Sequence, residues 1–223
     1  QLMAAAERAF GDLPATPGAA VPAPATFIGG PQAEARKLEQ AHLVFMLPAC
    51  GSRDDDYFAL RIFAETLGGG MSSRLFQEAR EKRGLAYNID AYADTYADHG
   101  ALGIYVGCAA GDAVETAKVC AEELVKLASS IDDAELARAK AQLKAHMFMA
   151  REQPLARAEQ GAGQILLFDR LYPPSELAAE VDAVTPADVA RLGQRLLSAQ
   201  AATAVLGAKS ALKAGEAFAK ALA

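Results

Sequence analysis

The sequence predicts an α+β fold, a two-layer sandwich of a mainly antiparallel sheet with helices packed on one face. Three observations carry this. Two alternating runs, Tyr87–Tyr96 and Ala101–Ala109, flank the turn Asp98-His99-Gly100 and read as an antiparallel hairpin. Two further strand-like segments, Ala41–Leu47 and Ala201–Leu206, lie far apart in the chain. Helical segments fill the space between without strict strand–helix alternation, so the helices are expected to form a layer of their own.

The bulk numbers narrow the function class. The chain has 223 residues, 52% of them hydrophobic and 22% charged, which suits a packed core and argues against disorder. The net charge of −6 lacks the basic surplus of a nucleic-acid binder, so no nucleic-acid partner is expected. No apolar run reaches the ~18 residues a membrane helix needs, so no membrane partner is expected either. Cys50, Cys108 and Cys120 are odd in number and lack CxxC spacing, which speaks against a disulfide framework or structural zinc. Cys108 and Cys120 read as buried thiols, and three scattered cysteines favour a reducing compartment. The cytoplasm is therefore the expected location, with periplasm and mitochondrial matrix as alternatives. The chain begins at Gln1, which leaves room for a targeting segment removed upstream.

In chain order, residues 1–10 read as the end of an amphipathic helix (Leu2, Ala6, Ala9, Phe10) stopped by Gly11. Residues 14–25 hold five of the chain's prolines and glycines, Pro14, Pro17, Gly18, Pro22 and Pro24, and read as an extended linker. The expected division is 1–13 as the tail of a preceding domain, 14–25 as linker and 26–223 as the domain proper. Ala41–Leu47 is a buried strand ended by Pro48. Asp54-Asp55-Asp56 places negative charge at the start of a helix whose buried face is Tyr57, Leu60, Phe63, Ala64 and Leu67. Gly68 is expected to cap it in a left-handed conformation. After the glycine turn a helix is expected from Ser72 to Lys82, with Leu75, Phe76 and Ala79 inward. In the hairpin, Ile89, Ala91, Ala93 and Thr95 face one way and Asn88, Asp90, Tyr92 and Asp94 the other; Leu102, Ile104, Val106 and Cys108 point inward.

Asp112 and Asp132 each open a helix with a capping-box-like start. The first buries Val114, Ala117, Ala121, Leu124 and Leu127, the second Leu136, Ala139, Leu143 and Met147. Residues 155–169 form a further helix weakened by Gly161 and Gly163. Pro173-Pro174 breaks it before a short helix at Ser175–Val184. Thr185-Pro186-Ala187-Asp188 combines a threonine N-cap, a proline at the first helical position and an acid in the first turn. A last strand, Ala201–Leu206, and a helix over 210–223 complete the chain.

The candidate chemistry concentrates in residues 67–87. Gly68-Gly69-Gly70 precedes a helix, but neither a Walker A motif nor GxGxxG is present. By themselves the glycines read either as a plain helix–helix turn or as a loop that lets a peptide approach the backbone. The following helix carries Arg74, Arg80, Lys82 and Arg83. Arg80 and Tyr87 flank Gly84 and either sit on a solvated face or offer a guanidinium and a phenol to a carbonyl oxygen gaining charge. His42, His99 and His146 occur in no metal-ligand spacing, and no nucleophile motif appears, so no metal is expected in this chain.

At these residues the sequence resembles a known family. Leu67-Gly68-Gly69-Gly70-Met71-Ser72-Ser73-Arg74-Leu75-Phe76, followed by Arg80-Glu81-Lys82-Arg83-Gly84-Leu85-Ala86-Tyr87, is similar to the C-terminal half of the pitrilysin, insulin-degrading enzyme and mitochondrial processing peptidase family. Gln40-Ala41-His42-Leu43-Val44 and Val184-Thr185-Pro186-Ala187-Asp188-Val189 add to the match, which covers about residues 26–209 and lies closer to the processing-peptidase and bacterial branch. Residues 1–13 resemble the end of the preceding homologous domain. The resemblance implies a clamshell half of LuxS/metallohydrolase-like fold. It implies a full zinc metalloendopeptidase that cleaves peptides or unfolded segments in a closed chamber. Its N-terminal half, or a partner subunit in a homodimer or heterodimer, would carry zinc on HxxEH. This half would contribute Arg80 and Tyr87 to the active site and Gly68, Gly69, Gly70, Ser72 and Arg83 to binding the peptide substrate. HxxEH is absent here, so the chain alone is expected to be inactive. The alternative is a non-catalytic peptide-binding or structural subunit of the same family.

Overall fold

The computed structural model describes residues 1–14, 23 and 25–222. Residues 15–22 and 24 of the expected linker, and residue 223, lie outside the described residues. The described residues form strands β1 (Gly30–Ala35), β2 (Ala41–Ala49), β3 (Ala86–Thr95), β4 (Gly100–Cys108) and β5 (Ala202–Gly207). The helices are α1 (Leu2–Phe10), α2 (Tyr57–Gly68), α3 (Ala113–Ser129), α4 (Asp133–Ala150), α5 (Pro154–Phe168), α6 (Pro174–Ala183), α7 (Pro186–Leu197) and α8 (Ala214–Leu222). The strands make one sheet in the order β1-β5-β2-β4-β3. The α+β class is as the sequence predicts.

The sheet is antiparallel at β3–β4, β4–β2 and β2–β5, and parallel at β1–β5. The sequence reading missed β1. Its Gly-Pro-Gln-Ala-Glu-Ala has no apolar alternation, because an edge strand exposed over nearly its whole length needs none. Along β2 and β4 alternate residues are fully buried: Leu43, Phe45 and Leu47, then Leu102, Ile104 and Val106. Helices α2, α3, α7 and α8 cover that face. Phe218 of α8 stacks on Phe45 of β2 with ring centroids 4.0 Å apart and planes 3° off parallel. Helices α4 and α6 lie behind α2, which adds an outer helical layer to the expected two. The other sheet face stays open.

Several helix ends differ from expectation. Gly68 is the last residue of α2 and not a left-handed cap; the chain leaves through Gly69 at φ −77°. Gly68 is glycine for a packing reason, since a Cβ there would lie 2.3 Å from the Ala91 backbone nitrogen. Asp132 caps α4 by accepting from the Glu135 N–H at 2.7 Å, whereas Asp112 precedes α3 without a side-chain cap bond. Thr185 and Asp188 form a complete capping box at α7. Asp54 and Asp56 are drawn to Arg195, and Asp56 also to Arg191, so this acidic turn ties α7 to the start of α2. No described helix is long and apolar enough to cross a membrane.

Candidate functional site

The stretch after the glycine turn is wider than an α-helix. Phe76–Lys82 is a π-helix, where an α-helix was expected. It ends at a left-handed glycine, one residue wider than an α-helical cap: the Leu85 N–H donates to the Ala79 carbonyl at 2.8 Å and the Gly84 N–H to the Arg80 carbonyl at 3.1 Å. Gly84 sits at φ +63°, the left-handed conformation that favours glycine at this position. The reversal sends the chain straight into β3.

There the alternation slips by one residue. Ala86 pairs with Cys108 and Asn88 with Gly107, leaving Tyr87 as the extra residue of a β-bulge. Ala86 and Ile89 are buried while Tyr87 and Asn88 between them are both exposed. Strict alternation from Ile89 would have turned Tyr87 toward the helices. The bulge turns it out, 76% exposed.

The basic residues of this segment divide sharply. Arg74 grips Glu135 through two nitrogens at 2.6 and 2.7 Å and also reaches the Ser130 carbonyl. Lys82 pairs with Glu78 at 2.8 Å, and Arg83 with Glu78 and Glu115 at 3.1 and 3.3 Å. These pairs hold the Glu78 carboxyl below its ordinary range, first through the Lys82 hydrogen bond and then through Arg83. Arg80 has no ion pair or side-chain hydrogen bond among the described residues; its guanidinium lies over the Phe76 ring, 4.7 Å from the centroid. Tyr87 likewise makes no side-chain hydrogen bond there. The structure thus puts Arg80 and Tyr87, both free, on either side of one turn, and puts Arg83 in a charge network.

Gly68 packs against β3, and a Cβ on Gly69 would lie 2.6 Å from the Glu65 side chain. Gly70 has room, with Gln142 Nε2 at 3.6 Å from where a Cβ would be. The Ser72 hydroxyl accepts from Gln142 Nε2 at 3.4 Å. Two residues went unnoticed in the sequence. Met71, 75% exposed at the tip of the glycine turn, is an apolar side chain offered to solvent. Asn88 shares the exposed step with Tyr87, a placement only the bulge produces. Beyond them on the open sheet face, His42 Nδ1 and the Tyr105 hydroxyl are 2.9 Å apart.

The donor set does not fit zinc. His42 is engaged with Tyr105, His99 with Asp98 at 2.7 Å, and His146 approaches Glu65 at 3.9 Å, three separate places. Among the described residues no three His, Cys, Asp or Glu side chains are grouped to hold a metal ion. The thiols are buried and inert: desolvation pushes Cys50 and Cys108 up to about 11, and Cys120 higher still.

A family model described as the peptidase M16 inactive domain matches residues 1–143. An uncharacterized zinc protease of Streptomyces coelicolor is 35% identical over 173 residues, covering 77% of this chain and 38% of that protein. The peptidase M16 inactive domain from Pseudomonas fluorescens superposes with a TM-score of 0.79 at 21% identity, over 93% of this chain and 51% of that one. A chain of complex III from Candida albicans gives 0.80 at 21%, over 89% and 50%. At that identity the two structures speak for the fold alone. This chain spans less than half the length of the curated relatives it matches, 38% of the Streptomyces protein and 45% of a Rickettsia felis zinc protease. The match over residues 1–143, more than half of its length, shows that the chain belongs to the peptidase M16 family, as an inactive domain.

Proposed function

We propose that this chain is the substrate-binding, metal-free half of a zinc endopeptidase acting on peptides or unfolded segments. Arg80 and Tyr87 are its contribution to catalysis. The observation that carries this is their isolation. Arg74, Lys82 and Arg83 are all neutralised within the fold, while Arg80 and Tyr87 are exposed, without an ion pair or side-chain hydrogen bond among the described residues, and lie on either side of the Gly84 turn. Unpaired donors on a rigid turn are suited to a carbonyl oxygen that becomes negative as its peptide bond is attacked. The open outer edge of β3, beginning at Tyr87, can add an extended peptide as a further strand, and Gly68, Gly69, Gly70, Ser72 and Arg83 are the residues we assign to holding it.

Zinc, when bound, supplies the activated water; its ligands would lie in the zinc-bearing half or in a partner subunit. Helix α1 supports the two-half reading. It buries none of its residues and leaves Leu2, Met3 and Phe10 exposed, as expected of a terminal helix whose own domain lies upstream. The test is turnover of an unfolded peptide by the full two-half protein carrying Arg80→Ala or Tyr87→Phe. Loss of kcat with little change in KM supports the role, and wild-type turnover in both variants sinks it. The isolation of both residues favours this reading over a non-catalytic subunit.

A further inference from the structure

A large cavity lies away from Arg80 and Tyr87. It is a cleft of about 970 Å3 between the start of α2, the end of α4, α5 and α6. Its walls are mixed: Phe58, Leu143, Met147, Phe168 and Leu177 form an apolar strip among Arg53, Asp54, Asp55, Arg61, His146, Arg170, Glu176 and Glu180. Helix α5, which closes one side, buries none of its own residues, so that wall can shift to fit an occupant.

The charges around the cleft are unequal in depth. Arg170 is neutralised by Glu176, and Asp54 by Arg195. Asp55 and Glu180 are exposed at the rim, where water solvates them. Arg61 is half-buried, and its guanidinium has only the Tyr57 hydroxyl at 3.2 Å and the Tyr57 ring, 6.0 Å to the centroid. Glu65, one turn on, feels Arg61 but makes no ion pair with it; its carboxyl is raised chiefly by burial, against His146 and Arg61. Arg53 spends Nε on the Leu167 carbonyl at 2.7 Å and keeps its two terminal nitrogens. A half-buried guanidinium without an ion pair among the described residues, beside an apolar strip, is matched by a carboxylate on an apolar body.

We propose that this cleft binds an apolar carboxylate, its acid group on Arg61 and Arg53 and its chain along Phe58, Leu143 and Met147. A medium-chain fatty acid and the C-terminal end of an apolar peptide share this chemistry, and the volume suits either. The test is calorimetric titration of the full two-half protein with dodecanoate below its micelle concentration, with dodecan-1-ol, and with an apolar pentapeptide bearing a free or an amidated C-terminus. Dodecanoate is expected to bind more tightly than the alcohol, or the free-acid peptide more tightly than the amide; which of the two acids binds identifies the source. Arg61→Gln should weaken the acid about 10–100-fold and leave the neutral probe unchanged, as expected for loss of charge-assisted hydrogen bonds. Met147→Trp should block both by filling the cleft, with peptidase turnover intact. Absence of binding by both acids, equal affinity for acid and neutral probe, or an Arg61→Gln protein that binds the acid as wild type overturns the assignment. Arg61→Gln, which removes only a half-buried charge, keeps the test decisive if Met147→Trp does not fold.

Discussion

Among the described residues Arg80 and Tyr87 differ from their neighbours in making no ion pair or side-chain hydrogen bond, Arg80 resting only over the Phe76 ring. Glu78 collects Lys82 and Arg83, and Glu135 holds Arg74, so the acids near the site are already occupied. For an oxyanion donor, removal typically costs ~10²–10³-fold in kcat, and that is the expected loss for Tyr87→Phe and for Arg80→Ala. Arg80→Lys should recover little of it, because a point charge on a flexible stem does not reproduce the planar fork. Steady-state kinetics on a peptide substrate separates these outcomes. A second residue-scale prediction concerns Asp188. Hydrogen bonds from the Thr185 side chain and backbone, and then Arg191, lower its carboxyl to about 2. A carboxyl depressed in the folded state stabilises above the unfolded pKa near 4, and that contribution is lost as pH falls from about 4 to about 2. Allowing for its partial exposure, Asp188→Asn should cost about 1 kcal/mol at neutral pH and progressively less toward pH 2, measured by denaturant unfolding.

At the scale of the elements, the turn from the π-helix into β3 sets the geometry, and its glycine is replaceable only at a cost. Gly84→Ala forces a side chain into φ +63° and should destabilise the domain by about 1–2 kcal/mol with the fold retained. A lower kcat is expected alongside, because the same turn aims both Arg80 and Tyr87. Gly68→Ala is the harsher change: its Cβ meets the Ala91 backbone at 2.3 Å, so α2 must move off β3. Thermal unfolding should show a larger loss for Gly68→Ala than for Gly84→Ala; the reverse order would mean that the helix–strand contact is slack. The elements also show where sequence reasoning stops. The capping box at Thr185 was legible because its residues are three apart, and the hairpin because its alternation is local. The bulge at Tyr87 was not legible, because it is a mismatch between two strands. Strand β1 was not, because its only support is the parallel partner β5, at the other end of the chain.

At the scale of the whole molecule, the chain seals its own core. Phe218 of the last helix, stacked on Phe45 in the middle of the sheet, is the far anchor; Phe218→Ala should cost about 3–5 kcal/mol in unfolding free energy. Without HxxEH, this chain alone should show no zinc-dependent peptidase activity, and adding the zinc-bearing half should generate it. Cleavage by the chain alone would overturn the division of labour. What the sequence by itself determined is what depends on nearby residues: the helices and most of the strands, the α+β class and the lack of a metal-ligand spacing; Arg80 and Tyr87 stand out only through the family resemblance. What only the tertiary structure decided is which groups are left unpaired. Whether an arginine is neutralised depends on acids 32 or 61 positions away, as Glu115 is from Arg83 and Glu135 from Arg74. Whether a tyrosine faces solvent or core depends on a one-residue slip against the neighbouring strand, and neither is written in local spacing.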